Sequence, residues 1–439
     1  MTSSALRYLR GLEILDSRGH PTVYASCELS TGAAGAASVP SGRSTGTAEA
    51  QELRDGDPRR YRGLGCRRAV AHIEGELQAA LSGRTFGSQA QLDRALCDLD
   101  GTPNKARLGA NTLLAVSLAF ARAAACERER PLYEHLAPLA DGAPGALPRP
   151  TINLFSGGRH AGGQVPIQDV LIIPVAATTM SDALVVAFDI YQTAAKLAQD
   201  RFGTRLLTAD EGGLAPPFRD AEQMVGGAVE AIERAGYDPG SEVALAVDVA
   251  ASHFYREGRY DLGSEALDGP AMINRVAAWI DRFPLVSIED GLAEEDWAHW
   301  PELRKRLSGR ALVLGDDLLC TNPTRIDRAV ELRAADALLL KVNQIGTLTE
   351  AAEALRVARQ AGWHVTASAR SGETEDAWLA DLAVGWAAEH IKVGSITQSE
   401  RLAKYNRLLE IEAQTGFGLA GTRSEHESVS RTVSPTRQI

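Results

Sequence analysis

The chain has 439 residues, enough for one large barrel and a smaller domain, and its 44 % hydrophobic and 23 % charged residues are those of an ordinary globular protein. A formal charge of −11 argues against nucleic-acid binding through the phosphate backbone, although it does not exclude anionic substrates where a divalent cation inverts the local field. Five cysteines with no CxxC pair point away from a disulfide framework or a zinc site and toward a reducing, cytoplasmic setting. No apolar run reaches membrane-spanning length, and the first residues carry no apolar stretch of signal-peptide length.

In chain order, residues 1–35 read as strands, GLEIL and PTVYASCEL, separated by the turn residues Ser17-Arg18-Gly19. The Gly/Ser-rich loop VPSGRSTGTAEA follows, over 39–50. Residues 67–133 are helical in pattern, most clearly in GANTLLAVSLAFARAAACERER, whose small apolar residues suit a buried helix. LADGAPGALPRPT, residues 139–151, marks a domain junction, and from 151 to 418 strand-like and helix-like segments alternate. The expected division is 1–138 for an N-terminal domain, 139–420 for a barrel and 421–439 for a polar, disordered tail.

Five strands of the second half are expected to end in polar residues: Asp248, Glu289, Asp316, Lys341 and Lys392. Apolar runs that stop at such residues, with helices between them, describe the C-terminal mouth of a (β/α) barrel. Three carboxylates at matching strand ends suit Mg²⁺, which prefers hard oxygen ligands. A lysine at the end of an apolar strand is partly desolvated, and with Lys392 and a divalent cation nearby Lys341 is expected to have a lowered pKa and to serve as a general base. Asp210 and Glu211, before a Gly-Gly turn, place a candidate general acid at the mouth. Arg370 and Ser371 read as an anion clamp, and SGRSTG as a loop able to close over an anion.

Taken together, GLEILDSRGHPTV, PSGRSTG, ELRDGD, PLYEHL, DEGG, SIEDGLAEEDW, GDDL, KVNQIGTLTE, RSGETED, IKVGS and ERLAKYN resemble the enolase (phosphopyruvate hydratase) family in order, over nearly everything but the last stretch. The resemblance implies an α/β protein, a ββαα(βα)₆ barrel with a smaller α+β N-terminal domain, and a two-Mg²⁺ reaction on 2-phosphoglycerate. It implies that Asp248, Glu289 and Asp316 hold the first metal and Ser44 helps hold the second. Lys341 would remove the C2 proton and Glu211 would protonate the departing C3 hydroxyl, with His160 and Asp169 in the same catalytic set. Lys392, Arg370, Ser371 and Gln168 would contact the small phosphate or phosphonate substrate, and Arg43, outside the family pattern, is expected to meet an anionic group of it. A homodimer or higher homo-oligomer is the implied assembly, with neither nucleic acid nor membrane as partner.

Several positions depart from the family pattern. Ala369 stands where a pocket histidine is usual, Asp169 where the carboxylate is one methylene longer, Arg43 where the lid has alanine, and Ala209 where glycine precedes the acid pair. Tyr24 and Glu410 replace an intersubunit ion pair typical of the family. Less bulk at 369 and an added cation at 43 suit a larger or more anionic ligand. The sequence therefore leans toward a specialised homologue that makes carboxyphosphonoenolpyruvate in phosphonate biosynthesis. The alternatives are an ordinary glycolytic enolase and a non-catalytic binding protein.

Overall fold

The computed structural model describes residues 4–421 except 44, 204, 206 and 264. The expectations placed on Ser44 and on the tail beyond 421 lie outside the described residues. The N-terminal sheet is an antiparallel meander of β1 (Leu6–Leu15), β2 (Pro21–Leu29) and β3 (Ala34–Ser38). Alternating burial along β2 supplies the face on which the helix Ala110–Glu127 packs. That helix is buried almost throughout, which explains its small-residue composition. Gly35 on β3 lies so close to it that an added Cβ would collide with the backbone of Ala123. The helical stretch expected over 67–133 is in fact broken at 82–88 and 101–109, where chain reversals and an isolated bridge between Ala5 and Thr85 intervene.

The barrel comprises β4 (Arg149–Ser156), β5 (Asp169–Pro174) and β6 (Val243–Asp248), then β10 (Leu285–Glu289), β11 (Leu312–Gly315), β12 (Ala337–Leu340), β13 (His364–Ser368) and β14 (His390–Gly394). A small three-stranded sheet, β7 (Tyr255–Arg256), β8 (Arg259–Asp261) and β9 (Ala266–Leu267), intervenes. The eight strands close in the order β10-β11-β12-β13-β14-β4-β5-β6. β5 runs antiparallel to both β4 and β6, and the other pairs are parallel. Two helices, Met180–Phe202 and Ala221–Arg234, separate β5 from β6, so the topology is ββαα(βα)₆.

Local chemistry sets the helix starts. Asp268, Asn322 and Thr347 accept backbone N–H bonds at the N-termini of Gly269–Arg282, Pro323–Leu332 and Leu348–Gln360. The N-terminal domain is fastened across the barrel mouth. Ser17 N–H donates to the Glu373 carbonyl at 2.8 Å, the Trp378 indole donates to the Ser38 carbonyl at 3.1 Å, and Lys105 pairs with Glu350 at 2.7 Å.

Candidate active site at the barrel mouth

Alternation along β6 turns Ala244, Ala246 and Asp248 inward, and in-register pairing sets Glu289 beside Asp248. Asp316 and Lys341 are the residues immediately after β11 and β12, and Arg370 and Ser371 follow β13. Lys392 departs from the strand-end expectation. It is the third residue of β14, two short of its end, because the strand continues through Val393 and Gly394. From there its ammonium donates to Asp248 Oδ2 at 2.9 Å and Glu289 Oε2 at 2.7 Å. Gln168 Nε2 also donates to Asp248 Oδ2, at 3.0 Å.

Lys341 Nζ binds Asp316 Oδ2, whose other oxygen accepts from Gln344 Nε2 at 2.9 Å. Burial disfavours the ammonium of Lys341, but Asp316 together with Glu289 overcomes it and the pKa is raised. The expectation of a lowered value rested on burial together with Lys392 and a divalent cation; Asp316, the partner of Lys341 in the metal-free protein, acts the other way. Burial likewise works against the Lys392 ammonium and is overcome by Asp248 and Glu289. Asp248 is brought down to about 2: burial opposes its ionisation, and Lys392 more than compensates.

The three strand-end carboxylates share the mouth but do not form a ready-made cage. Among the described residues, the groups whose ligating atoms lie within 4.8 Å of one another are His160, Asp169 and Glu211, and Asp290, Asp316 and Asp317. Asp248 and Glu289 are bridged by Lys392, and Asp316 is taken by Lys341. The donor set still fits Mg²⁺, since all are carboxylate oxygens and Glu289 Oε1 is buried without a hydrogen-bond partner. Asp290 accepts the backbone N–H groups of Asp316 and Asp317 at 3.0 and 2.7 Å, and burial with the Asp316 charge pushes Asp317 up to about 8.

Opposite the lysines, His160 Nδ1 lies 3.0 Å from Asp169 Oδ2, and Ser156 Oγ donates to Asp169 Oδ1 at 2.5 Å. His160 Nε2 faces Glu211 Oε1 at 3.9 Å, and Asn153 Nδ2 holds the other Glu211 oxygen at 3.0 Å. Burial alone would lower His160, but Asp169 and Glu211 raise it to about 9. Burial pushes Asp169 upward against the pull of His160, while Ser156 Oγ donates to one of its oxygens and the imidazole faces the other. Glu211 is held below its ordinary value: burial would raise it, but His160 and Arg401 outweigh that. Here it is a carboxylate, and a role as acid requires it to receive a proton first.

Arg370 spans Glu49 of the N-terminal domain, with Nη1 and Nη2 at 3.0 and 3.1 Å, and also donates to Asn343 Oδ1 at 2.9 Å. Ser371 Oγ accepts from Arg43 N–H at 2.8 Å and Arg18 Nη1 at 3.2 Å. The Arg43 guanidinium finds its carboxylate inside the protein, from Asp210 at 2.8 Å. Glu49, Asn343, Gln344, Asp290 and Asp317 were not singled out from the sequence. The doubled acids in SIEDG and GDDL were the available signal for the last two.

A ββαα(βα)₆ barrel with acids and lysines gathered at one mouth, and a small α+β domain laid across it, defines a lyase of the enolase superfamily. Residues 6–136 match the family model described as Enolase, N-terminal domain, and residues 144–426 match Enolase, C-terminal TIM barrel domain. The chain belongs to the enolase family. Among the described residues, no helix is long and apolar enough to cross a membrane.

Proposed function

We propose that this chain is a Mg²⁺-dependent lyase that removes the C2 proton of 2-phosphoglycerate, or a close phosphonate-bearing relative, and eliminates at C3 to an enolpyruvyl product. The observation that carries this reading is that Lys341, Lys392, Glu211, His160, Asp248 and Asp316 all line one buried mouth. Enolase-superfamily sites are a known instance of a lysine base working beside Mg²⁺. Asp248, Glu289 and Asp316 would hold the Mg²⁺, which would supply positive charge beside the substrate carboxylate. Lys341 Nζ, as free amine, accepts the C2 proton. Lys392 grips the substrate carboxylate, and Arg370 with Ser371 binds the phosphate. Glu211, supplied with a proton from the His160 imidazolium beside it, gives that proton to the C3 hydroxyl, which leaves as water. Asp169 orients His160.

The specialised reading, synthesis of carboxyphosphonoenolpyruvate, is supported by Ala369, a small residue that forms part of the mouth lining beside Arg370. Ordinary enolase activity is the second reading, favoured by Arg43 being neutralised within the protein. A cytoplasmic homo-oligomer suits either.

Steady-state comparison of 2-phosphoglycerate with a phosphonoformyl-bearing co-substrate, at saturating Mg²⁺, separates the two. Specialisation predicts poor turnover of 2-phosphoglycerate, rising by roughly 10-fold or more in the Ala369→His/Asp169→Glu variant, since misplacement by ~1 Å costs up to ~10²-fold. Glycolytic rates in the unmodified protein point to the second reading. No Mg²⁺-dependent turnover or C2 exchange with either substrate would leave only a binding role.

A further inference from the structure

The lid segment after β3 is fixed to the barrel along one arc of the mouth. Ser41 and Gly372 exchange backbone bonds at 2.8 and 3.0 Å, and Arg43 N–H donates to Ser371 Oγ, both beyond β13. Thr47 donates through its N–H and hydroxyl to Glu294 Oε2, beyond β10, at 2.9 and 3.0 Å. Gly46 passes so close to Cys320 that a Cβ there would strike Sγ. The Arg43 side chain extends this attachment past β14, to Asp210 on the loop over β4. Asp210 is the immediate neighbour of Glu211.

The cavity beneath has a volume of about 20 Å³, room for roughly one water. A three-carbon phosphoester cannot enter without displacing this cover. The Arg43–Asp210 pair is half-exposed, with side chains 49 % and 25 % accessible, so it is an outer contact that an arriving anion meets early.

We propose that Arg43 and Asp210 form a positioning pair, a charge latch that ties the lid to the loop bearing Glu211, and that an anionic ligand enters by drawing Arg43 away from Asp210. The latch rests on the proposed function only for the meaning of Glu211. The ion pair makes the closed state stiff on both sides of the mouth. Its exposure keeps it weak enough to open, because such a pair shifts an equilibrium only roughly two- to five-fold. Arg43 is then shared in time between a protein carboxylate and a ligand oxygen, and the two partners compete.

The test uses the full chain. Hydrogen exchange is followed by mass spectrometry in peptides covering residues 39–50 and 207–214. Arg43→Ala and Asp210→Ala should each speed exchange in both peptides by roughly two- to five-fold. The double variant should exceed neither single, and the Arg43→Asp/Asp210→Arg swap should return exchange toward the original rate. Adding about 0.5 M NaCl should speed the parent protein and leave the single variants unchanged. Inorganic phosphate, titrated calorimetrically, should bind roughly two- to five-fold tighter to Asp210→Ala and more weakly to Arg43→Ala. Unchanged exchange, changes confined to the peptide that carries the substitution, additive effects in the double variant, or phosphate binding weakened equally by both substitutions would each overturn the latch. Absence of turnover in the parent protein would remove the proposed function while leaving exchange and phosphate binding to decide the latch.

Discussion

The two ends of the barrel interior are built on opposite principles. The C-terminal mouth is crowded with buried charge around a cavity of about 20 Å³. The N-terminal end encloses about 560 Å³, lined by Ala244, Ala246, Thr151, Thr366, Leu171 and Ile173 among others, with Glu289 and Lys392 as its ceiling. Barrels of this kind are usually filled by branched side chains in layers. Here the small residues of β6, β4 and β13 leave the lower layer open. The main apolar core lies instead between the strands and the surrounding helices, with only small clusters inside the barrel, such as Leu171, Ile173 and Ala246. The comparison separates what holds the cylinder together, its outer shell, from what its interior is for. Interior volume is given up at the bottom, while interior charge is concentrated at the top, where each ion must find a partner to offset its desolvation.

The sharpest break between the ends should come from proton transfer at the mouth. Lys341→Ala is expected to lower exchange of the substrate C2 proton with deuterated solvent by ~10²–10⁴-fold, read by proton NMR. In the same assay Glu211→Gln should block dehydration to a comparable degree while leaving measurable C2 exchange, because the two residues serve different protons. Full exchange in the Lys341 variant would reject its role as base.

Two histidines extend the contrast to pH. In the metal-free protein His160 sits at about 9, with burial overcome by Asp169 and Glu211. His390, bonded to Thr151 Oγ1 at 3.1 Å on the wall of the lower cavity, is pushed down to about 3 by burial, then by Arg149 and His364. A raised histidine gives stability that is fully present below its unfolded value of ~6.5 and is lost as pH rises through the folded value. His160 should therefore contribute an alkaline loss between about 6.5 and 9. A depressed histidine works the other way, so His390 should contribute a loss as pH falls from about 6.5 toward 3. Melting temperatures in EDTA across that range should show His160→Gln flattening the alkaline limb and His390→Gln the acid limb. The same limb flattened by both variants would contradict the assignment.

The smallest expected effect is at the bottom. Ala244→Val adds two methyl groups at the wall of the lower cavity and should raise stability by about 1 kcal/mol, with turnover changed less than two-fold. A loss of stability in denaturant titration would mean that the lower cavity is tighter than its volume implies.

Much of this architecture was legible from local pattern. Apolar runs that stop at Asp248, Glu289, Asp316 and Lys341 fixed the strands and the face on which their ends gather, because side-chain direction alternates along a strand and the βα connections set its sense. The motifs carried the family and the ββαα opening of the barrel. Lys392 was misplaced by two residues because a polar side chain inside a closed barrel ends an apolar run in one dimension without ending the strand. The Asp316 partner that raises Lys341 in the metal-free protein was not visible in sequence.

The sequence by itself thus determined most of the barrel strands, the polar residues at their ends and the family. Tertiary structure alone decided who pairs with whom: Lys392 with carboxylates 144 and 103 residues away, Arg43 with Asp210 across 167 residues, and Arg370 with Glu49 across 321. It also decided that Asp169 serves His160 and that the lower barrel stays open. The physical reason is that periodicity records only which way a side chain faces. Whether a facing charge is met by an ammonium, a carboxylate or empty space depends on barrel closure, strand register and the domain laid over the mouth, and no local pattern encodes these.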